Sequence, residues 1–527
     1  MPQRTLIAAC PPAPVDDLRV DQIAGAYLGA DIYKRYLAQA GTRAYLVVGA
    51  DEYQSQVEAS AFRQRSDPDC MAWQAREAIE ASLRAYAIDA DHFGQRDAGY
   101  AAHVQLFFSR LFRAGMIEVR AVPVLYEIKT GAYPIDAWVR GVCPSCLDET
   151  CGGVCESCGE PNSSVELLGL DPHRYALRQE PRLVLELERF RPDIELQLGR
   201  MRTQHEGLSR LTRSLLERPL SPFVLSTKSR RGISTAFADL PDQGLHSVGE
   251  MYAGQLYFLQ KVAGSLGAGD DYLQFVDFRD AYAHAFVQVA LACAAQRCDI
   301  DWPAPSAVLT SQLQLTHPAG GVSSPIFARE LTDVFNSDVV RAYLAMTGPE
   351  AHETCYLRGA FEHSLVRIAA AIETLVQHWN EQRHRPEAAR CYGPPQELIR
   401  SMRRRPSLED WSSAELARRA LNAVAYFGQR TAKARLGLTR YIPSVLALAL
   451  EPFCPSYCDE LRERFPTAAD SWDELTLSPL DHDLPSFSLK SESAIILVDP
   501  TELSDADADE PETSIRQTIQ VGLSGAL

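Results

Sequence analysis

The chain has 527 residues, enough for several cores, and its 46% hydrophobic and 23% charged residues are ordinary for a soluble globular protein. Its net charge of −17 is uneven: from Thr467 to Leu527 thirteen acidic residues stand against Lys490 and Arg516, so −11 falls in that tail and −6 on everything before it. An acidic body offers little general attraction for nucleic-acid backbones. No apolar run reaches the roughly 18 residues of a membrane span, and MPQRTLIAACPPAP has neither the apolar core nor the cleavage site of a secretion signal. Thirteen cysteines, four of them in paired CxxC motifs, suit a reducing, cytoplasmic setting with a metal site better than a disulfide framework.

In chain order, Leu6-Ile7-Ala8-Ala9 reads as a short buried strand. A helical run follows from Gln22 to Leu37, and then a second apolar strand, Ala44 to Gly49, ends in Ala50-Asp51-Glu52. Strand, crossover helix and strand within so short a span form a βαβ unit, which predicts a parallel sheet. Ligands of such sheets sit beyond the C-terminal strand ends, here around Cys10 to Gln22 and at Asp51-Glu52.

The wording GAYLGADIYKRYL, followed by VVGADEY, resembles the N-terminal half of the methionyl-tRNA synthetases, a class I family. The resemblance implies a Rossmann-like parallel-sheet domain, an inserted connective domain with a zinc knuckle, and an all-α helical bundle after them. Its expected boundaries are 1–118 and 221–345 for the two halves of the Rossmann-like domain and 119–220 for the insertion. The bundle is expected over 346–465, and an acidic, disordered tail over 466–527.

Helical patterns at Asp69–Ala87 and Tyr100–Gly115 complete the first half; the alternating residues EVRAVPVLYEI then read as strand and open the insertion. Within it stand Cys143-Pro-Ser-Cys146 and, eight residues on, Cys155-Glu-Ser-Cys158. Two such pairs can bring four thiolates to tetrahedral geometry, which predicts one closed, structural zinc site. Cys151 lies between the pairs as a spare thiol. The stretch Leu225 to Gly232, LSTKSRRG, looks like the family's KMSKS loop, but it falls about a hundred residues too early and takes no catalytic weight.

Measured against the family, the nucleotide-binding signatures are missing. The HIGH-type motif falls on Arg19-Val20-Asp21-Gln22, and no histidine precedes His92. The true KMSKS position falls on Leu315 to Pro325, and no lysine occurs between Lys261 and Lys433. An aspartate that contacts the ribose in the family aligns with Arg279. Arg19, Gln22 and Arg279 therefore mark a degenerate nucleotide site, and ATP is not expected as a ligand.

The amino-acid pocket is better kept. Asp51 matches the carboxylate that holds the substrate ammonium in the family, and Ala253, Tyr257 and His284 match pocket positions. The pocket tryptophan has become Glu250 and a pocket isoleucine Asp280. A buried carboxylate needs a cation, water or a ligand ammonium close by. Two outcomes stay open: a polar pocket for an amine-bearing, amino-acid-like ligand, or a collapsed pocket whose acids pair with Arg279 or face solvent.

From Cys355 on the period is helical, with Phe361, Leu365, Ile368, Ile372, Leu375 and Trp379 on one face. The family's anticodon-reading asparagine aligns with Phe361, and its tryptophan is absent from GQRTAKARLG. No specific tRNA is therefore expected. The basic cluster Arg400 and Arg403 to Arg405 reads as a solvated turn, and the short apolar run Ser493–Val498 as a strand or docking peptide. The whole describes a synthetase-like chain that does not form methionyl-tRNA and serves as a binding or scaffolding partner of an unidentified protein. Its alternatives are a repurposed, tRNA-independent amino-acid ligase or condensing enzyme, and a genuine but divergent methionine–tRNA ligase.

Overall fold

A computed structural model describes residues 4–201, 206–229, 231–315, 326–349, 354–356, 358–384, 411–432, 440–468 and 482–489, with a few single positions between them. The KMSKS position at 316–325, the side chain of Phe361, the arginines at 403–405 and the run Ser493–Val498 lie outside the described residues.

The first domain is built on five parallel strands: β1 (Thr5–Ala9), β2 (Ala44–Gly49), β3 (His92–Gly94), and, after the insertion with its β4 (Glu118–Glu127) and β5 (Tyr175–Leu185), β6 (Asp271–Asp277) and β7 (Ala307–Ser311). Their spatial order is β7-β6-β1-β2-β3, every pair parallel. The order reverses between β1 and β6. That is where a doubly wound sheet opens a crevice beyond its C-terminal strand ends.

The expected crossover is present with one modification. Val20–Gln22 and a π-helical turn, Ile23–Tyr27, lead into α1 (Leu28–Gln39). A second π turn, Ala283–Val287, follows β6. Such wide turns are rare and often stand at functional sites. Gly25 makes the first one fit, because a Cβ there would lie 2.1 Å from the Ser311 hydroxyl at the end of β7.

The insertion hangs on β4 and β5, paired antiparallel from Glu118↔Val184 to Glu127↔Tyr175. The chain re-enters the first domain and forms α2's partner: α2 is Ala98–Arg113 and α3 is Ser247–Ala263. The LSTKSRRG stretch is structural. Ser226–Thr227 pairs with the strand at Leu240–Leu245, Ser229 donates to Glu58, and Arg231 is bound to Asp69.

Helices α4 (Ser337–Thr347), α5 (Arg358–Gln382), α6 (Ser413–Ala432), α7 (Ile442–Leu450) and α8 (Pro455–Arg464) make the all-α part. Its apolar faces share one core with the sheet, from Ile7, Tyr33 and Leu273 through to Trp379, Phe427 and Val445. One expectation needs correcting. Residues 482–489, placed in a disordered tail, are packed on α5: Trp379 Nε1–H donates to the His482 carbonyl, Asn380 accepts from the Leu484 N–H, and Phe487 joins the core. The tail's acidity hid an apolar pair, Leu484 and Phe487, that the core takes in.

Candidate functional site

A cleft of about 450 Å³ opens at the switch point, between the loops that follow β1 and β6. The insertion contributes Asp136, Cys151 to Val154 and Glu156 to its walls. Arg19, Gln22 and Arg279, predicted as a degenerate nucleotide site, all line it. Each is engaged by a neighbour within the cleft wall. Arg19 forks onto Asp21 at 2.9 and 3.0 Å, and Arg279 forks onto Asp277 at 2.8 and 2.9 Å. Gln22 turns back and accepts the Arg19 backbone N–H at 2.9 Å, closing the first turn of its own helix.

Electrostatics reinforces that commitment. Burial pushes the Asp277 carboxyl up, but the charge and hydrogen bonds of Arg279 outweigh it and hold Asp277 below its ordinary value. Among the described residues, the cleft walls carry seven carboxylates against two guanidiniums and His246. A site for a polyphosphate needs surplus donors and positive charge. This one has the opposite balance.

His246 ties the insertion to the first domain. Its Nε2 lies 2.8 Å from Asp136 Oδ2, while its Nδ1 accepts the Val248 N–H and so caps α3. Burial alone would push the ring down; Asp136 outweighs it and holds His246 above its ordinary value. Asp136 sits at φ +43°, a left-handed conformation costly for a residue with a side chain.

The residues assigned to the amino-acid pocket meet different surroundings. Of the six, only Asp280 lines the cleft. It accepts the Cys10 thiol at 3.3 Å, and burial followed by repulsion from Asp277 raises its carboxyl to about 6. Tyr257 points away and donates to Asp97 at 2.9 Å. Ala253 is buried in the core. His284 lies among buried amides: its Nδ1 meets Gln274 Oε1 at 3.1 Å and Gln288 at 3.2 Å, and burial drives the ring down to about 3, so it is neutral.

Asp51 and Glu250 do come together, through a residue that sequence reasoning missed. Arg96 Nη2 lies 2.8 Å from Asp51 Oδ1 and 2.8 Å from Glu250 Oε1. For Glu250 the expectation of pairing with Arg279 or facing solvent is corrected, since it is fully buried on Arg96; Asp280 stays half-buried in the cleft wall, where the Arg279 charge acts on it. A buried Glu250 had demanded a cation, water or ligand ammonium. The only signal for its identity was an arginine in the loop closing HFG, which becomes visible once that segment is known to be β3 beside β2.

The four knuckle cysteines do converge. Their Sγ atoms all lie within 4.8 Å of one another, with Cys143–Cys158 at 3.8 Å and Cys146–Cys155 at 3.6 Å. A tetrahedron of zinc–sulfur bonds of about 2.3 Å has edges of about 3.8 Å, so the cluster fits zinc. These separations are far too long for disulfides. Asn162 Nδ2 and the Ser145 N–H lie 3.6 and 3.4 Å from the Cys143 sulfur, as donors to a thiolate would.

Comparison with known proteins agrees with this architecture. The family model for class I tRNA synthetases (M) matches residues 16–370. A methionine–tRNA ligase of Rubrobacter xylanophilus is 27% identical over 225 residues, covering 41% of this chain and 38% of that protein. One from Methanopyrus kandleri is 31% identical over 173 residues, covering 32% of this chain and 24% of that protein. The aligned stretches thus span well under half of these relatives. The Mycobacterium tuberculosis methionyl-tRNA synthetase, solved with methionyl-adenylate, superposes with a TM-score of 0.70 at 15% identity, covering 93% of this chain and 98% of that one. With the doubly wound sheet, the inserted four-cysteine cluster and the helical bundle, these matches place the chain in the methionyl family of class I tRNA synthetases.

Proposed function

We propose that this chain has kept the synthetase fold without adenylate chemistry and acts as a binding or scaffolding partner of another protein in the cytoplasm. One observation carries the reading: the two arginines of the nucleotide cleft are each locked in a fork by an aspartate, inside walls with a large excess of carboxylates. Adenylation requires a triphosphate bound by free cations and donors. Each fork takes up two of the guanidinium's five N–H donors and offsets its charge, and the remaining acids repel the ligand. A tRNA-independent ligase that consumed ATP would meet the same obstacle. The scaffolding half of the reading is supported by large apolar side chains left in water on consecutive helices, Phe62 at 73% and Trp73 at 57% exposure.

The deciding measurement is methionine-dependent exchange of pyrophosphate into ATP, with calorimetry of ATP and methionine alongside. No exchange and no ATP binding are expected. Exchange above background would overturn the reading, and ATP binding without exchange would overturn its account of the cleft.

A further inference from the structure

Behind the cleft lies a group of buried charges with its own logic. Asp51 stands past the C-terminal end of β2, Arg96 past the C-terminal end of the adjacent β3, and Glu250 in the first turn of α3. Side-chain exposures are 1%, 6% and 0%. The guanidinium lies 4.5 Å from the ring centre of Tyr53 and 5.6 Å from that of Tyr100, and the Tyr100 hydroxyl donates to Glu250 Oε1 at 3.2 Å. Two carboxylates and two aromatic faces turned on one point are the chemistry of a cation site.

The site is only partly satisfied by what fills it. Asp51 Oδ2, Glu250 Oε2 and Arg96 Nη1 are buried and have no hydrogen-bond partner among the described residues. Burial raises the Glu250 carboxyl to about 7, so a single guanidinium faces one full carboxylate and a second that ionises only as pH rises past neutral. A group evolved purely as a structural ion pair is expected to satisfy its remaining atoms; this one leaves an oxygen free on each acid.

The walls are nevertheless firmly made. Asp97, next to Arg96, caps α2 through the Tyr100 N–H at 2.7 Å and is held from α3 by Tyr257 and Lys261 at 2.9 Å each. Tyr100 packs closely against α3 at Gly254, where a Cβ would come within 2.3 Å of its hydroxyl. The loop therefore delivers Arg96 to one place.

We propose that the Asp51–Glu250 pair is a binding site for an organic cation that the protein keeps closed with its own Arg96, an internal occupant standing where a ligand's guanidinium or ammonium would sit. The proposal rests on the reading that this region no longer serves adenylation. A tethered arginine competes at a high effective concentration, so a free cation gains access only when Arg96 is displaced. The pocket is then a masked site, not a vestige.

The test uses the full-length protein and its Arg96→Ala variant, titrated with N-ethylguanidinium, which supplies the atoms the truncation removes. Arg96→Ala should melt below the wild type and recover several degrees with the probe. It should bind the probe saturably, roughly tenfold or more tighter than the wild type. Arg96→Ala/Glu250→Ala should lose most of that binding. Equal binding by wild type and variant, or none by a folded variant, overturns the proposal. If Arg96→Ala does not fold, Arg96→Ala/Glu250→Gln leaves only Asp51 to neutralise; a probe-dependent rise in its melting temperature, absent in the wild type, is expected, and no rise overturns the proposal. Pyrophosphate exchange by the wild type would overturn the functional reading and leave this titration to be judged separately.

Discussion

Arg341 donates to Asp31 across 2.6 Å, and neither side chain reaches solvent. The pair bolts α4 of the all-α part to α1 of the parallel-sheet domain. The same guanidinium also donates to the carbonyls of Tyr86, Pro452 and Phe453, and Arg35 joins Asp31 at 2.9 Å. Burial pushes the Asp31 carboxyl up, but Arg341 and Arg35 outweigh it and hold it below its ordinary value. Breaking such a pair from one side strands a buried charge, at a cost of roughly 3–5 kcal/mol. Asp31→Ala should therefore lower chemical-denaturation stability by about that amount. A loss within about 0.5 kcal/mol, typical of an unremarkable surface change, would show the pair to be dispensable.

Glu250 should make stability depend on pH. Burial raises its carboxyl to about 7, against an ordinary value near 4.5. A carboxyl raised in the folded state binds its proton more tightly there than when unfolded. Its contribution favours folding at low pH and is lost as pH rises towards about 7, by roughly 3 kcal/mol in full. Glu250→Gln removes that dependence and keeps the shape. Melting temperatures measured from pH 5 to about 8 should fall less steeply in the variant than in the wild type. Identical slopes would contradict the assignment.

One zinc per chain should be bound by Cys143, Cys146, Cys155 and Cys158, whose sulfurs already stand at tetrahedral spacing. Metal analysis of Cys155→Ala/Cys158→Ala should find it gone. Hydrogen exchange should then show the insertion between β4 and β5 opening, while the parallel sheet stays protected. Full retention of zinc in that variant would rule out the four-cysteine site.

Binding to methionine tRNAs should be no tighter than to unrelated tRNA. The chain is acidic, at −17 overall, and phosphate-backbone attraction falls steeply with salt. Filter-binding titrations at physiological salt decide this. Submicromolar binding that depends on the anticodon would contradict it.

The cleft's charge balance can be probed directly. Replacing Asp21 and Asp277 by asparagine frees Arg19 and Arg279 and removes two negative charges from the walls. The double variant should gain measurable affinity for inorganic triphosphate where the wild type has none, read by calorimetry at low salt. No gain would mean that the arginine forks are not what excludes phosphate.

The parallel sheet was legible because its signal is local. Leu6 to Ala9 and Ala44 to Gly49 are continuous apolar runs separated by one amphipathic helix, and a strand buried on both faces reads that way in any context. The two CxxC pairs were legible for the same reason, since each brings two ligands within a single turn. The missing histidines and lysines needed only counting. What neutralises a buried charge is not local. Glu250 and Asp280 were seen to require a cation, water or ligand ammonium, and Arg279 stands next to Asp280 in sequence, yet strand order put β3 beside β2 and so delivered Arg96 to Glu250. The union of Arg341 with Asp31, 310 residues apart, came from the docking of one domain on another. Periodicity reports which face of an element is buried; which charges meet behind that face is set by the order in which strands and helices pack, and that is a property of the assembled core.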